Sequence, residues 1–380
     1  MANPVKRPCH VVHLVYSFSI GGLENVIVQL INGLPHDQYR HTVIALTKVD
    51  ADFTQRVKRS DVDFIALNKA PGQPFYLYPH LFRLLRKLRP DILHTCNLAA
   101  LEFTPVAWAA GVPRRIHAEH GWDAHDPDGS NPRYQRIRKL FKPFVNHYIA
   151  VSQDLDRYLQ HKIGIAQPRR TLIANGVDTE TFSPAIHPAT PEGCPFQPRH
   201  HWLAGTVGRM QTVKNQPFLA KGFVRMLKTY PEAAERARLI LIGDGPLREE
   251  VERILTAGDA KHLAWIPGAR SDIDHILKVL DCFVLPSRAE GTSCTLQEAM
   301  SCGLPAIATA VGGTPQLVDN DKTGTLIASD DEFALSEALW RYYRNSDLLA
   351  EQGRTAREKA LAKFSIAKML QRYEELFVVP

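Results

Sequence analysis

Thirteen short apolar runs, each followed by a stretch long enough for a helix, constrain this chain more than any other feature. Seven lie in the first half: HVVHLVYSF (10–18), HTVIALT (41–47), VDFIALN (62–68), DILHTCN (91–97), RRIHAEHG (114–121), NHYIAVS (146–152) and RTLIANG (170–176). Six lie in the second: WLAGTVG (202–208), ARLILIG (237–243), LAWIPG (263–268), CFVLPS (282–287), AIATA (306–310) and TGTLI (323–327). Continuous apolar strands alternating with helices predict parallel sheets covered on both faces. The segment 23–34 fits a covering helix: Leu23, Val26, Ile27, Leu30, Ile31 and Leu34 repeat at three and four, Gly21-Gly22 precede them and Pro35 stops them. The fold class is therefore α/β.

With 380 residues, the chain exceeds the ~250–300 at which single cores stop growing, so two domains are expected. The texture breaks at SPAIHPATPEGCPFQPRH (183–200), with five prolines and no periodicity, which reads as a linker. The tail DEFALSEALWRYYRNSDLLAEQGRTAREKALAKFSIAKMLQRYEELF (331–377) reads as almost wholly helical. The charge is uneven: residues 1–180 hold 23 Lys and Arg against 16 Asp and Glu, and residues 181–380 hold 23 against 24. That surplus suits an anionic surface or acidic substrate near the first half, or is a solvated face. The six cysteines form no CxxC and no zinc-like cluster, and read as reduced thiols of a cytoplasmic protein. No window is apolar enough to span a membrane. Lys6 and Arg7 before CHVVHLVYSF suggest a signal peptide, but two histidines interrupt the run and no cleavage site follows, so it reads as the first strand. Nucleic acid is disfavoured by the neutral second half.

Open parallel sheets bind ligands at the carboxyl ends of their strands, and the candidate motifs fall at such ends. In LPSRAEGTSCTLQEAMSCGLPAIAT (285–309), a strand exit leads into a helix expected to begin near Thr292 or Ser293 and to stop at Gly303, with Pro305 beyond. A helix N-terminus favours phosphate. Gly291 lets a ligand approach the backbone closely. Glu290 would repel phosphate and is suited to hydroxyls, as is Glu298 in the helix behind. A diphosphate between two hydroxyl-reading carboxylates describes a sugar nucleotide. Structural alternatives stay open: Thr295-Leu-Gln-Glu298 also spells a capping box, and Glu290 also fits an ordinary surface carboxylate.

Four further stretches stand out. In GTVGRMQTVKN (205–215), Arg209 and Lys214 follow a strand, with Gly208 giving clearance; such a pair suits a diphosphate, or is solvated surface. Gly21 and Gly22, with Glu24, open a helix, so its free N–H groups face an anion or a substrate, or the turn is merely structural. Neither this turn nor LIGDGPLRE (241–249) completes a G-x-G-x-x-G fingerprint. RIHAEHGWDAHD (115–126) holds His117, Glu119, His120, Asp123 and His125 without metal-ligand spacing, so no metal is assigned, and His120 is the better candidate to read a substrate hydroxyl or share a proton. NPRYQRIRKLFKPFVNHYI (131–149) and LYPHLFRLLRKLRPD (77–91) mix basic and apolar residues; each is a helix lying on anionic lipid or a core-facing helix with a basic side.

GTVGRMQTVKNQ, LIGDGPLREEVE and above all SRAEGTSCTLQEAMSCGLPAIATAVGGTPQLV resemble the retaining glycosyltransferases of the glycogen-synthase-like group (group 1, family 4). GGLE, EHG, VSQDL and IANGVD stand in the same order, so the likeness covers nearly the whole chain. It implies the GT-B architecture: two Rossmann-like doubly wound domains facing a cleft, with a C-terminal helix crossing back to the first. The domains would be 1–184 with helix 365–380 on the acceptor side, a linker at 185–200, and a donor-binding domain at 201–364. By position, Arg209 and Lys214 would grip the donor diphosphate, Glu290 would read the sugar and Glu298 the ribose. The backbone from Gly291 to Cys294 would cradle phosphate, Gly22 would approach it, and His120 would lie near the transferred sugar. Thr292 and Cys294 depart from the usual pattern and bear on donor preference. The resemblance extends to bacterial exopolysaccharide transferases. It implies retention of anomeric configuration, no metal and no cofactor. The partners are then a nucleotide-sugar donor, a saccharide or lipid-linked acceptor, and a peripheral contact with the cytoplasmic membrane. A sugar-nucleotide epimerase and a non-catalytic sugar-nucleotide-binding subunit are the other readings.

Overall fold

The computed structural model describes residues 7–378 apart from 124, 125, 127 and 128. The chain divides into two compact units, Met1–Gly176 with Ile366–Pro380, and Val177–Ser365. All thirteen expected strands form; most are trimmed at their ends, while the first two begin one and two residues earlier than expected, at Cys9 and Tyr39.

The first unit holds β1 (Cys9–Val15), β2 (Tyr39–Ala45), β3 (Asp63–Ala66), β4 (Ile92–Cys96), β5 (Arg114–Glu119), β6 (His147–Ala150) and β7 (Arg170–Leu172). Their order is β3-β2-β1-β4-β5-β6-β7, and every pair is parallel. Parallel strands buried on both faces need apolar side chains on both, which is why Val11 and Val15 serve one core while Val12 and Leu14 serve the other. Helix Gly22–Gly33 lies over the first face with Val26, Ile27, Leu30 and Ile31 inward. The C-terminal helix Ile366–Phe377 joins that layer through Met369, Tyr373, Leu376 and Phe377. Two glycines make its close packing possible: a Cβ at Gly33 would strike Leu370, and one at Gly176 would strike the Ile366 backbone.

The second unit holds β8 (Trp202–Val207), β9 (Ala237–Ile242), β10 (Ala264–Gly268), β11 (Cys282–Leu285), β12 (Ala306–Thr309) and β13 (Gly324–Ile327). Their order is β10-β9-β8-β11-β12-β13, again all parallel. Helices Gln216–Thr229 and Glu332–Arg344 close one face over a core that includes Phe223, Leu239, Leu335 and Tyr342. Residues 183–200 carry no helix or extended strand. In both sheets the order reverses beside the first strand, between β1 and β4 and between β8 and β11. Those reversals are where an open α/β sheet leaves a crevice for a ligand.

Candidate functional site

In the second unit the predicted residues gather at the β8/β11 reversal. β8 ends at Val207, and Gly208 and Arg209 follow directly. Arg209 is exposed, and its guanidinium makes no hydrogen bond or ion pair among the described residues. Its backbone is held tightly. Gln216 Nε2 donates to the carbonyls of Gly208 at 3.2 Å and Arg209 at 3.1 Å, and Met210 N donates to Asp244 O at 2.8 Å. The glycines of LIGDGPL explain themselves here: Gly243 and Gly245 have φ of +131° and +150°, and a Cβ on either would strike the backbone of Gly208 or Met210. That motif is a support for the Arg209 turn. Gly208 differs, since a Cβ there meets nothing closer than 3.9 Å. The fold does not demand glycine at 208.

Lys214 and Glu290 meet across the reversal, Nζ to Oε1 at 2.6 Å. Ser287 Oγ donates to the same oxygen at 2.6 Å. Both bonds end on Oε1, and Oε2 has no partner among the described residues. Glu290 is buried, and a buried carboxylate is costly unless donors such as these satisfy it. Its backbone is fixed as well: Gly313 N donates to Glu290 O at 3.1 Å, and Gly312, at φ +49°, lies against that carbonyl where a Cβ would collide. A staple from distant sequence sets the Lys214 loop. Arg288 N donates to Val213 O at 2.8 Å, the Arg288 guanidinium pairs with Asp330 at 2.9 and 3.0 Å, and Asn215 Nδ2 donates to Asp330 at 2.9 Å. Asn215 takes the left-handed conformation, φ 54°, which turns the chain from the Lys214 loop into helix Gln216–Thr229.

The helix behind Glu290 is Cys294–Ser301, and its cap is Ser293, whose Oγ accepts from Leu296 N at 3.3 Å. Thr295 therefore does not cap, and the Thr295–Glu298 capping box does not form. Glu298 lies inside the helix, half-buried. Gly291, Thr292 and Ser293 form the turn between Glu290 and the helix, with Cys294 as its first residue.

The first unit places Gly22 at the start of helix Gly22–Gly33, after β1 and with Gly21 as its cap. His120 follows β5, its N–H donating to Asn97 Oδ1 at 2.8 Å. Asn97 sits at the exit of β4 in the left-handed region, φ 59°. Burial pushes the His120 imidazole down to about 4, and His117 adds to that, so the ring is neutral at neutral pH. His117 and Glu119 are buried in a triad with Arg138: Arg138 Nε to Glu119 Oε1 at 2.6 Å, Nη2 to Oε2 at 3.2 Å, and His117 Nε2 to Oε1 at 3.3 Å. Burial pushes the Glu119 carboxyl up, but Arg138 and His117 outweigh it and hold it well below the usual range. The expectation that Arg138 belongs to a basic solvent or lipid face is thereby corrected; it points inward from helix Pro132–Phe141 to clamp the end of β5. His125 lies outside the described residues. All six cysteines are free thiols. No helix among the described residues is long and apolar enough to cross a membrane.

Two family models match the chain in the order of its units: glycosyltransferase family 4 over residues 20–181 and glycosyl transferases group 1 over residues 203–345. An Escherichia coli UDP-Gal:alpha-D-GlcNAc-diphosphoundecaprenol alpha-1,3-galactosyltransferase is 26% identical over 94% of each chain. Among solved structures, a glycosyltransferase from Rickettsia africae superposes with a TM-score of 0.80 at 18% identity, covering 97% of this chain and 98% of that one. Anabaena HepE, in complex with UDP and glucose, superposes with a TM-score of 0.80 at 18% identity, covering 96% and 98%. Two parallel-sheet units, the two matched models and these full-length likenesses agree: the chain belongs to the group 1/family 4 glycosyltransferases of GT-B fold.

Proposed function

We propose that this chain moves a hexose from a nucleoside-diphosphate sugar to a glycan or lipid-linked saccharide, with retention at the anomeric carbon and without a metal ion. The observation that carries the reading is the β8/β11 reversal itself. There an unpaired Arg209, a glycine the fold does not need, and a Lys214–Glu290 pair stand beside a capped helix N-terminus. In the reaction the bond from the anomeric carbon to the diphosphate oxygen breaks, the acceptor hydroxyl attacks from the same face, and its proton passes to the departing diphosphate oxygen. Charge builds on the departing diphosphate. Arg209 takes it through its fork, Lys214 takes it by turning from Glu290, and the N–H groups from Gly291 to Cys294 add their dipoles. Glu290 Oε2 accepts from sugar hydroxyls and Glu298 from the ribose. Gly22 offers its N–H to the diphosphate, and the neutral His120 holds a sugar hydroxyl. No covalent nucleophile enters this account.

The relatives favour a UDP-sugar and a polyprenyl-diphosphate-linked acceptor, since the Escherichia coli relative is named for both and HepE was solved with UDP and glucose. A Bacillus subtilis putative glycosyltransferase, EpsF, is 30% identical over 52% of this chain, and a role in cell-surface polysaccharide synthesis is part of the same proposal. A lipid-linked acceptor supports a working place on the inner face of the cytoplasmic membrane. Helix Tyr78–Leu88 and the exposed Phe75, Tyr76 and Leu140 are suited to peripheral contact there.

The test offers UDP- and GDP-hexoses with undecaprenyl-diphosphate-linked N-acetylhexosamine, in EDTA, and reads the product's anomeric coupling by NMR. An α-linked disaccharide from an α-configured donor supports the reading. Inverted product, a requirement for added metal, or an isomerised donor without released nucleotide would overturn it.

A further inference from the structure

The first sheet buries polar groups that glycosyl transfer does not use. His13 on β1, His41 on β2 and His94 on β4 are fully buried among apolar side chains, with Tyr373 and Phe377 packed edge-on to His94. They form a chain: His94 Nδ1 to His13 Nδ1 at 3.0 Å, and His13 Nε2 to His41 Nδ1 at 3.1 Å. At its end, Cys96 Sγ lies 3.8 Å from His94 Nε2, and a nitrogen of His120 completes a group in which all three ligand atoms fall within 4.8 Å of one another. Both ring nitrogens of His120 are shut off from solvent, and the Asn175 side chain interacts with the ring. Tetrahedral zinc with one thiolate and two imidazoles spaces its ligand atoms by roughly 3.3–3.8 Å, from bonds of about 2.0–2.3 Å. This cluster needs only a small contraction to match.

We infer that His94, Cys96 and His120 form a binding site for one zinc ion, with His13 and His41 as its outer shell. The hydrogen-bond chain supplies the required tautomer. When His94 Nδ1–H donates to His13 Nδ1, and His13 Nε2–H donates to His41 Nδ1, all three rings are neutral and His94 Nε2 keeps its lone pair for the metal. Ligating histidines are usually oriented by such a bond on the other nitrogen. The Cys96 thiol gives its proton to the buffer as the metal–sulfur bond forms. The fourth position is left to water or substrate. One consequence rests on the role proposed for His120: a nitrogen bound to zinc cannot also hold a sugar hydroxyl, so zinc inhibits transfer reversibly.

Cobalt titration of the full chain under reducing conditions reads the site by spectrum alone. The expected result is one cobalt per chain, a thiolate-to-cobalt charge-transfer band, tetrahedral-intensity visible bands, and loss of both on adding one equivalent of zinc. Cys96→Ser should abolish the charge-transfer band. His120→Ala, at the solvent side of the cluster, should weaken cobalt binding at least tenfold and serves if Cys96→Ser does not fold. No charge-transfer band in the folded wild type, or a band that persists in Cys96→Ser, overturns the site. A correct spectrum without inhibition keeps the site and overturns only the role given to His120.

Discussion

Arg138 offers the sharpest test of how the first unit holds the His120 turn. Its side chain is 4% exposed and that of Glu119 is 1% exposed, joined by two hydrogen bonds. Arg138→Met leaves a carboxylate buried with only His117 as partner. Breaking one side of a buried pair costs about 3–5 kcal/mol, because the remaining charge is uncompensated. Glu119→Gln strands the guanidinium in the same way. The double variant removes both charges, so its cost should fall below the sum of the singles by about 2 kcal/mol or more. The two units need not unfold together. The assay is therefore urea-dependent hydrogen exchange of the β5 amides, Arg114–Glu119, and not a whole-chain signal. A residue on a solvated basic face would cost no more than about 0.5 kcal/mol. Arg138→Met within about 1 kcal/mol of wild type, or singles that simply add, would refute the clamp.

Other outcomes follow from the same geometry. Arg209→Ala should lower kcat by about 10²–10³-fold with the melting temperature unchanged, since the side chain holds nothing in the fold; steady-state kinetics beside a melting curve check both halves. Gly208→Ala should fold as wild type, with its Cβ 3.9 Å from the nearest atom, yet weaken nucleotide-sugar binding, as calorimetry would read. Gly312→Ala should instead destabilise the second unit, because it adds a collision with the Glu290 carbonyl to an unfavourable φ, and denaturant unfolding would report that loss. Burial pushes the Asp281 carboxyl up from 3.8 to about 6. The stability of its protonated form is present below pH 3.8 and lost as pH rises through 6. Wild type should therefore lose up to about 3 kcal/mol between pH 4 and 7 that Asp281→Asn keeps, read from paired urea melts.

Much of this was legible in the sequence because it is local. Strands buried on both faces must be continuous apolar runs, and each expected strand formed. The Glu290–Glu298 segment is likewise short: strand exit, turn, capped helix. What stayed hidden is built by pairing across strands. His13, His41 and His94 look like interruptions of apolar strands until parallel register sets them side by side. His117 and His120 invited a metal reading at the wrong spacing, whereas the partners of His120 stand on β4. The Asp330 staple joins residues more than a hundred positions apart, and Gly243 and Gly245 failed a dinucleotide pattern while serving the Arg209 turn. A basic amphipathic stretch gives no sign that one of its arginines faces inward.

On the proposed function, the β8/β11 reversal binds a nucleotide diphosphate without a metal. Thermal stabilisation of the whole protein by UDP, GDP and ADP in EDTA tests it most directly, with Arg209→Ala and Glu298→Ala alongside. At about 100 times its dissociation constant, the preferred nucleotide should add about 2.7 kcal/mol. The shift should be indifferent to EDTA, vanish in Arg209→Ala and shrink in Glu298→Ala. A folded protein that no nucleotide stabilises, or one stabilised equally with and without Arg209, would contradict the assignment.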